Sequence, residues 1–296
     1  MPKIIFRPNP TPPPFVPPTP ARQVLTFTAL ENNVSVQTQS NVSETGYVFK
    51  VSYDGGSSWE IQENVLSISL PNVGDSAMVK GNNIDKATFY ATRTHMKISG
   101  PVAASGDLTS LLVEDGGDVP MSAEIFSEFF KNCQGLRNAP ELPSTTLARN
   151  CYKSMFYGCT SLTAAPALPA TTLDVQCYNS MFYGCTSLTT APALPATTLA
   201  TNCYKSMFYG CTSLTAAPAL PATTLVSGCY SDMFSGCTKL NYIEAMFLDT
   251  PTTTYTSNWV LNVSTQGTFV KSSLATWDAY GSHAIPTGWT VQQKEP

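Results

Sequence analysis

The stretch CYKSMFYGCTSLTAAPALPATTLDVQ, residues Cys151 to Gln176, is followed at once by a near copy starting at Cys177 and by another starting at Cys203. Cys133, Cys159, Cys185, Cys211 and Cys237 stand 26 residues apart, and Leu136, Leu162, Leu188, Leu214 and Leu240 keep that phase. So do Leu142, Leu168, Leu194 and Leu220, then Leu147, Leu173, Leu199 and Leu225, and a second cysteine series, Cys151, Cys177, Cys203 and Cys229. An imperfect opening copy spans Ile125 to Asn150, and the last copy diverges from Cys229 onward. A fixed period of this length marks stacked repeats: one unit cannot bury its apolar residues alone, and the terminal copies drift because they must meet something other than a repeat. The period predicts a solenoid of about five leucine-containing 26-residue units over residues 114–243.

Within a unit, Cys151, Met155 and Cys159 recur every four positions, which predicts a short helical segment with one apolar stripe turned to the core. Leu162 to Leu168 predicts a short extended segment, where Pro166 and Pro169 restrict pairing because proline has no N–H to give. Ala170-Thr171-Thr172-Leu173 then turns the chain into the next unit. The expected fold class is therefore mixed α and β.

Three further regions flank the array. Nine of the first twenty residues are proline, so residues 1–21 predict an extended polyproline arm, reaching about 60 Å at ~3.1 Å per residue. Ile4, Ile5, Phe6, Phe15 and Val16 supply apolar anchors that a purely solvating linker does not require, which makes the arm a candidate docking strap. Residues 22–113 alternate with period two. The clearest element is Tyr47 to Tyr53, a turn at Asp54-Gly55-Gly56, and a return through Trp59-Glu60-Ile61; Val65 to Leu70 and Ala87 to Thr92 alternate as well. This predicts a small all-β, sandwich-like domain. Residues 244–296, with Trp259, Gly267 to Val270 and Ile285 to Val291, predict a β-rich cap.

Composition restricts function. Only 12% of the residues are charged and the formal net charge is -4, which argues against nucleic acid as a partner. No apolar run reaches the roughly 18 residues that a membrane-crossing helix needs, so no membrane insertion is expected. The prolines interrupt the amino-terminal stretch before a secretory apolar segment could form, so no export signal is expected. Nine cysteines raise the question of disulfides or metal, yet they are copied with the repeat, C-x2-C spacing is absent, and the histidines are only His95 and His283. Buried reduced thiols are the expected state, with no metal site and no cofactor. Signatures of nucleotide, hydrolase and zinc-protease chemistry are absent, and Glu124, Glu128 and Glu141 read as scattered surface charge. No catalytic residue is expected.

From Cys151 to Gly228 the only charged residues are Lys153, Asp174 and Lys205. Tyr157, Tyr183 and Tyr209 recur in phase, as do Thr163, Thr189 and Thr215. They are the candidate binding surface: an uncharged wall suited to weak, repeated contacts, with an aromatic ladder on which sugars could stack if the rings are exposed.

The segment with MF before a cysteine, followed by LTxAPALP in place of an L-x-x-I-x-I-P strand, resembles the BspA-like leucine-rich repeat family over roughly Ile125 to Ile243. The closing stretch is similar to tails of repeat proteins encoded by gut Bacteroidales and their phages. That resemblance implies adhesion or interaction at a surface and no catalysis. The expected function is a non-enzymatic virion protein, such as a phage head fibre, decoration or fibre-tip protein. Its arm would dock on a capsid or other virion protein, its solenoid would meet a host surface protein or glycan, and a homo-oligomer is compatible with that arrangement. The rival readings are a bacterial cell-surface adhesin of the same family and a carbohydrate-active enzyme with its site in the β domain.

Overall fold

The computed structural model describes residues 23–39, 48–81, 94–113 and 116–295. The arm residues Ile4, Ile5, Phe6, Phe15 and Val16, and the alternating stretch Ala87 to Thr92, lie outside them.

The first part is built from β1 (Leu25–Ala29), β2 (Val34–Gln39), β3 (Val48–Ser52), β4 (Glu60–Glu63), β5 (Ser67–Leu70), β6 (Ser76–Gly81), β7 (His95–Ser99) and β8 (Val102–Ser105). Period-two alternation sends Leu25, Phe27 and Ala29, Val34 and Val36, Ile68 and Leu70, and Ala77 and Val79 into one core. The strands form a sheet of order β5-β2-β7 and a second of order β4-β3-β6-β1-β8-β9, where β9 (Leu136–Asn138) belongs to the opening repeat. The β3–β4 hairpin pairs Val48 with Glu63 and Val51 with Glu60. Gly55 (φ 71°) and Gly56 (φ 92°) take the left-handed turn, and Asp54 Oδ1 accepts from Ser52 Oγ and Ser58 N. Because β9 runs parallel to β8, the six-stranded sheet passes directly into the repeats.

In each repeat the segment expected to be helical is not an α-helix. From Asn150 to Cys159 the amides alternate between two kinds of acceptor. Lys153, Met155, Tyr157 and Cys159 donate three residues back, to Asn150, Tyr152, Ser154 and Phe156, at 3.1–3.3 Å. Asn150, Tyr152, Ser154, Phe156 and Gly158 instead donate into the next copy, to the carbonyls of Val175, Cys177, Asn179, Met181 and Tyr183, at 2.8–3.0 Å. Every fourth residue is left-handed: Asn150 (φ 57°), Ser154 (φ 53°) and Gly158 (φ 70°), and likewise Gln176, Ser180 and Gly184, then Asn202, Ser206 and Gly210. A helix tolerates neither the positive φ nor the outward-turned amides. The result is a chain of four-residue turns that bury Cys151 and Tyr152, Met155 and Phe156, and Cys159. Four residues per turn gives nearly the same apolar spacing as a helix, which is why the sequence pattern fits both. The described residues are β-rich, with 3% helix and 27% strand, and their only α-helix is α1 (Thr253–Thr256).

The opposite side of each repeat is extended but barely paired. Single bridges join Asn138 to Ala164, Ala164 to Thr190 and Ala216 to Tyr242. Pro140, Pro166, Pro192 and Pro218 occupy one row and have no N–H to contribute. Where Glu244 takes the next place in that row, a true ladder forms: β10 (Tyr242–Ala245), β11 (Thr268–Ser272) and β12 (Thr290–Lys294) run parallel, with Tyr242 opposite Thr268 and Thr268 opposite Thr290. On the turn side Gly228 N, Tyr230 N and Phe234 N donate to the carbonyls of Thr254, Tyr255 and Trp259. The repeat step thus continues past residue 243, and the cap boundary expected there falls inside β10. Trp259 packs against Phe234, Phe247 and Phe269 at ring separations of 5.9–6.2 Å and closes the core at this end.

The left-handed positions make a direct prediction. Gly184 has φ +69°, and a Cβ placed there meets nothing within 4 Å. Gly184→Ala should therefore cost about 1–2 kcal/mol from the backbone alone, read as a lower urea midpoint with unchanged slope.

Candidate binding surface

Stacking in register turns single residues into rows. Phe130, Phe156, Phe182, Phe208 and Phe234 form an inner column at 5.5–5.7 Å between ring centroids. Tyr152, Tyr178, Tyr204 and Tyr230 form a second, also buried. The nine cysteines are free and buried. In one series the thiols tie neighbouring copies together. Cys159, Cys185, Cys211 and Cys237 donate from Sγ to the carbonyls of Phe130, Phe156, Phe182 and Phe208 in the preceding copy, at 3.0–3.1 Å. Burial pushes the Cys185 and Cys237 thiols up to about 12, so neither is a thiolate nucleophile near neutral pH.

Tyr157, Tyr183 and Tyr209 form an outer row and are half-buried. Their rings stack face to face at 4.5 Å, with interplanar angles of 8° and 1°. Lys131 occupies the same place one copy earlier, its Nζ 5.6 Å from the Tyr157 centroid. The inner ring faces are taken by neighbouring rings and the outer face of Tyr157 by a cation, so the row offers ring edges to the outside and no series of open faces for sugars. Burial, followed by the neighbouring phenols of Tyr157 and Tyr209, raises the Tyr183 hydroxyl above its ordinary range.

Thr163, Thr189 and Thr215 are exposed and start the extended side. Thr163 Oγ1 donates to Arg137 O and Thr189 Oγ1 to Thr163 O, both at 3.4 Å. Exposed Ala167, Ala193 and Ala219 continue the wall beyond them. The tyrosine and threonine rows run as two stripes along the stacking direction.

A further feature has no counterpart among the sequence expectations. Between β7 and the turn side of the opening repeat lies a cavity of about 760 Å³. Glu124, Glu128, Lys131, Asn150 and Lys153 line it together with β7. Lys131 Nζ is 3.0 Å from Glu128 Oε1, and Asn150 Nδ2 donates to Glu124 Oε1 at 3.0 Å. Glu124 and Glu128 thus line one cavity, and Glu128 remains exposed to solvent. The available signal is that the opening copy departs from the three middle copies at these places: Glu124 stands where they have Asn150, Gln176 and Asn202, Glu128 where they have Ser154, Ser180 and Ser206, and Lys131 where they have Tyr157, Tyr183 and Tyr209. Among the described residues no cluster of three or more His, Cys, Asp or Glu side chains could hold a metal ion, and no helix is long and apolar enough to cross a membrane.

A family model described as BspA type leucine rich repeat region matches the chain in 6 copies, over residues 120–241 and 169–274. No curated protein and no solved structure matches it.

Proposed function

Because the chain belongs to the BspA-type leucine-rich repeat family, we propose that it is a non-enzymatic adhesion and interaction protein that presents the outer wall of its repeats to a partner. The observation carrying this reading is the uncharged, in-register wall itself. Between Cys151 and Gly228 it exposes threonine, alanine and tyrosine edges with three charged residues. Such a solenoid has little long-range electrostatic steering and gains affinity by repeating weak contacts. A host surface protein or a glycan is the partner class that suits it.

Within that role the chain is a virion surface protein, a head fibre, decoration or fibre-tip component, whose Pro-rich residues 1–21 dock on a capsid or other virion protein through Ile4, Ile5, Phe6, Phe15 and Val16. What supports the placement is the composition of the arm: its prolines lower the entropy lost on docking, and its apolar residues give a partner something to bury. A bacterial cell-surface adhesin is the second reading, and family membership favours it equally. Mass spectrometry of purified virions and of fractionated host cells decides between them. Stoichiometric recovery with particles is the expected result, and recovery only from the cell envelope would replace the virion reading with the adhesin.

A further inference from the structure

We propose that an apolar groove at the start of the repeats is the seat of the chain's own Pro-rich arm, over Phe15 to Pro20. The groove, of about 350 Å³, lies between the opening copy and the next. Buried Pro140, Leu142 and Pro166 line it together with exposed Glu141, Ala167 and Pro169.

The point where the arm enters the fold is beside this groove. Gln23 O accepts from Asp107 N at 2.8 Å, Val24 bridges Asp107, and Asp107 in turn bridges Glu141. Val24 is thus two strand steps from Glu141, roughly 10 Å. Phe15 stands eight residues before Gln23, a reach of about 25 Å in polyproline geometry. That length is enough to turn and lie along the groove.

Arm and groove also match chemically. Pro17, Pro18 and Pro20 of the arm, like Pro140 and Pro166 of the groove, have no N–H, so contact between them strands few backbone donors. Phe15 and Val16 supply the apolar area that such a groove buries. Residues 1–22 carry Lys3, Arg7 and Arg22 and no acidic residue. Glu141 is the charged member of the described lining, and its carboxylate has no hydrogen bond or ion pair among the described residues. The next three copies have Ala167, Ala193 and Ala219 in its place, so the complementary charge marks the groove nearest the arm. A tether this short holds the arm at an effective concentration on the order of millimolar, which favours the chain's own groove over that of a second copy.

The inference goes beyond the adhesion reading and holds for virion and cell surface alike: the groove keeps Phe15 and Val16 until a docking partner competes for them. Full-length chain with photoreactive benzoylphenylalanine in place of Phe15 is irradiated, digested and mapped by mass spectrometry. Cross-links within one chain, to residues 139–143 or 166–169 and in a yield unchanged by about tenfold dilution, are the expected result. Ala167→Arg sets a cation in the groove against the arm's own positive charge and should lower that yield about fivefold. Ala219→Arg, two copies away and equally exposed, should leave it unchanged. Both side chains lie outside the core, and matching circular dichroism of the two variants verifies that the fold is kept. Cross-links elsewhere or none, cross-links chiefly between chains, or equal effects of the two arginine variants would each overturn the assignment.

Discussion

Moving the protein from pH 7 to about pH 10 is expected to unfold the repeats cooperatively. All nine thiols are pushed up, chiefly by burial: Cys133, Cys177, Cys185 and Cys237 to about 12, Cys229 to about 11, and Cys151, Cys159, Cys203 and Cys211 well above the usual thiol value. For a group whose folded pKa is raised, the neutral form is the one the fold accommodates. Its contribution is intact below the unfolded value near 9 and is lost progressively as pH rises toward 12. At pH 10 each such thiol disfavours the folded state by roughly 1 kcal/mol. Nine together amount to on the order of 10 kcal/mol, comparable to the whole stability of an ordinary domain. Tyr152, Tyr178, Tyr204 and Tyr230 are raised by burial too and act in the same direction at higher pH. Circular dichroism followed together with thiolate absorbance should change in a single transition. A circular dichroism signal retained through about pH 11 would refute the account.

Phe182→Ala and Tyr183→Ala, adjacent in sequence, should differ sharply. Phe182 lies between Phe156 at 5.5 Å and Phe208 at 5.6 Å and is fully buried. Removing it leaves a void that the rigid stacking cannot close, at a cost of about 3–5 kcal/mol. Tyr183 is half-buried on the outside, and its removal should stay near ~1 kcal/mol. Because the copies provide nearly identical surroundings, Phe156→Ala and Phe208→Ala should match Phe182→Ala. Urea denaturation of the four variants tests both statements, and a loss for Tyr183→Ala as large as for Phe182→Ala would contradict the assignment of inner and outer rows.

Much of this is legible in the sequence because repetition amplifies it. The phase of Cys159, Leu162 and their copies carries the period, the stacking and the buried rows, and the alternation from Tyr47 to Ile61 locates the β3–β4 hairpin. The helical expectation fails because an apolar residue at every fourth position fits both an α-helix and a four-residue turn. The discriminating signal is on the polar side: Asn150, Ser154 and Gly158, also four apart, include two residue types that favour left-handed backbone. The junction cavity is not legible because it arises from a contact between Glu124 to Lys131 and β7, elements well separated along the chain. Only the departure of the opening copy from its own consensus hints at it.

The two sides of the stack are held very differently. Five amide bonds tie each copy to the next along the turns, whereas the proline row leaves the other side with isolated bridges. A body fastened along one edge bends most easily by opening the other. The flexural compliance of the middle repeats is therefore directional, greatest for curvature that fans out the alanine and proline wall, and it ends where the β10–β11–β12 ladder laces that edge shut. A stack so built can change its curvature without unfolding its core.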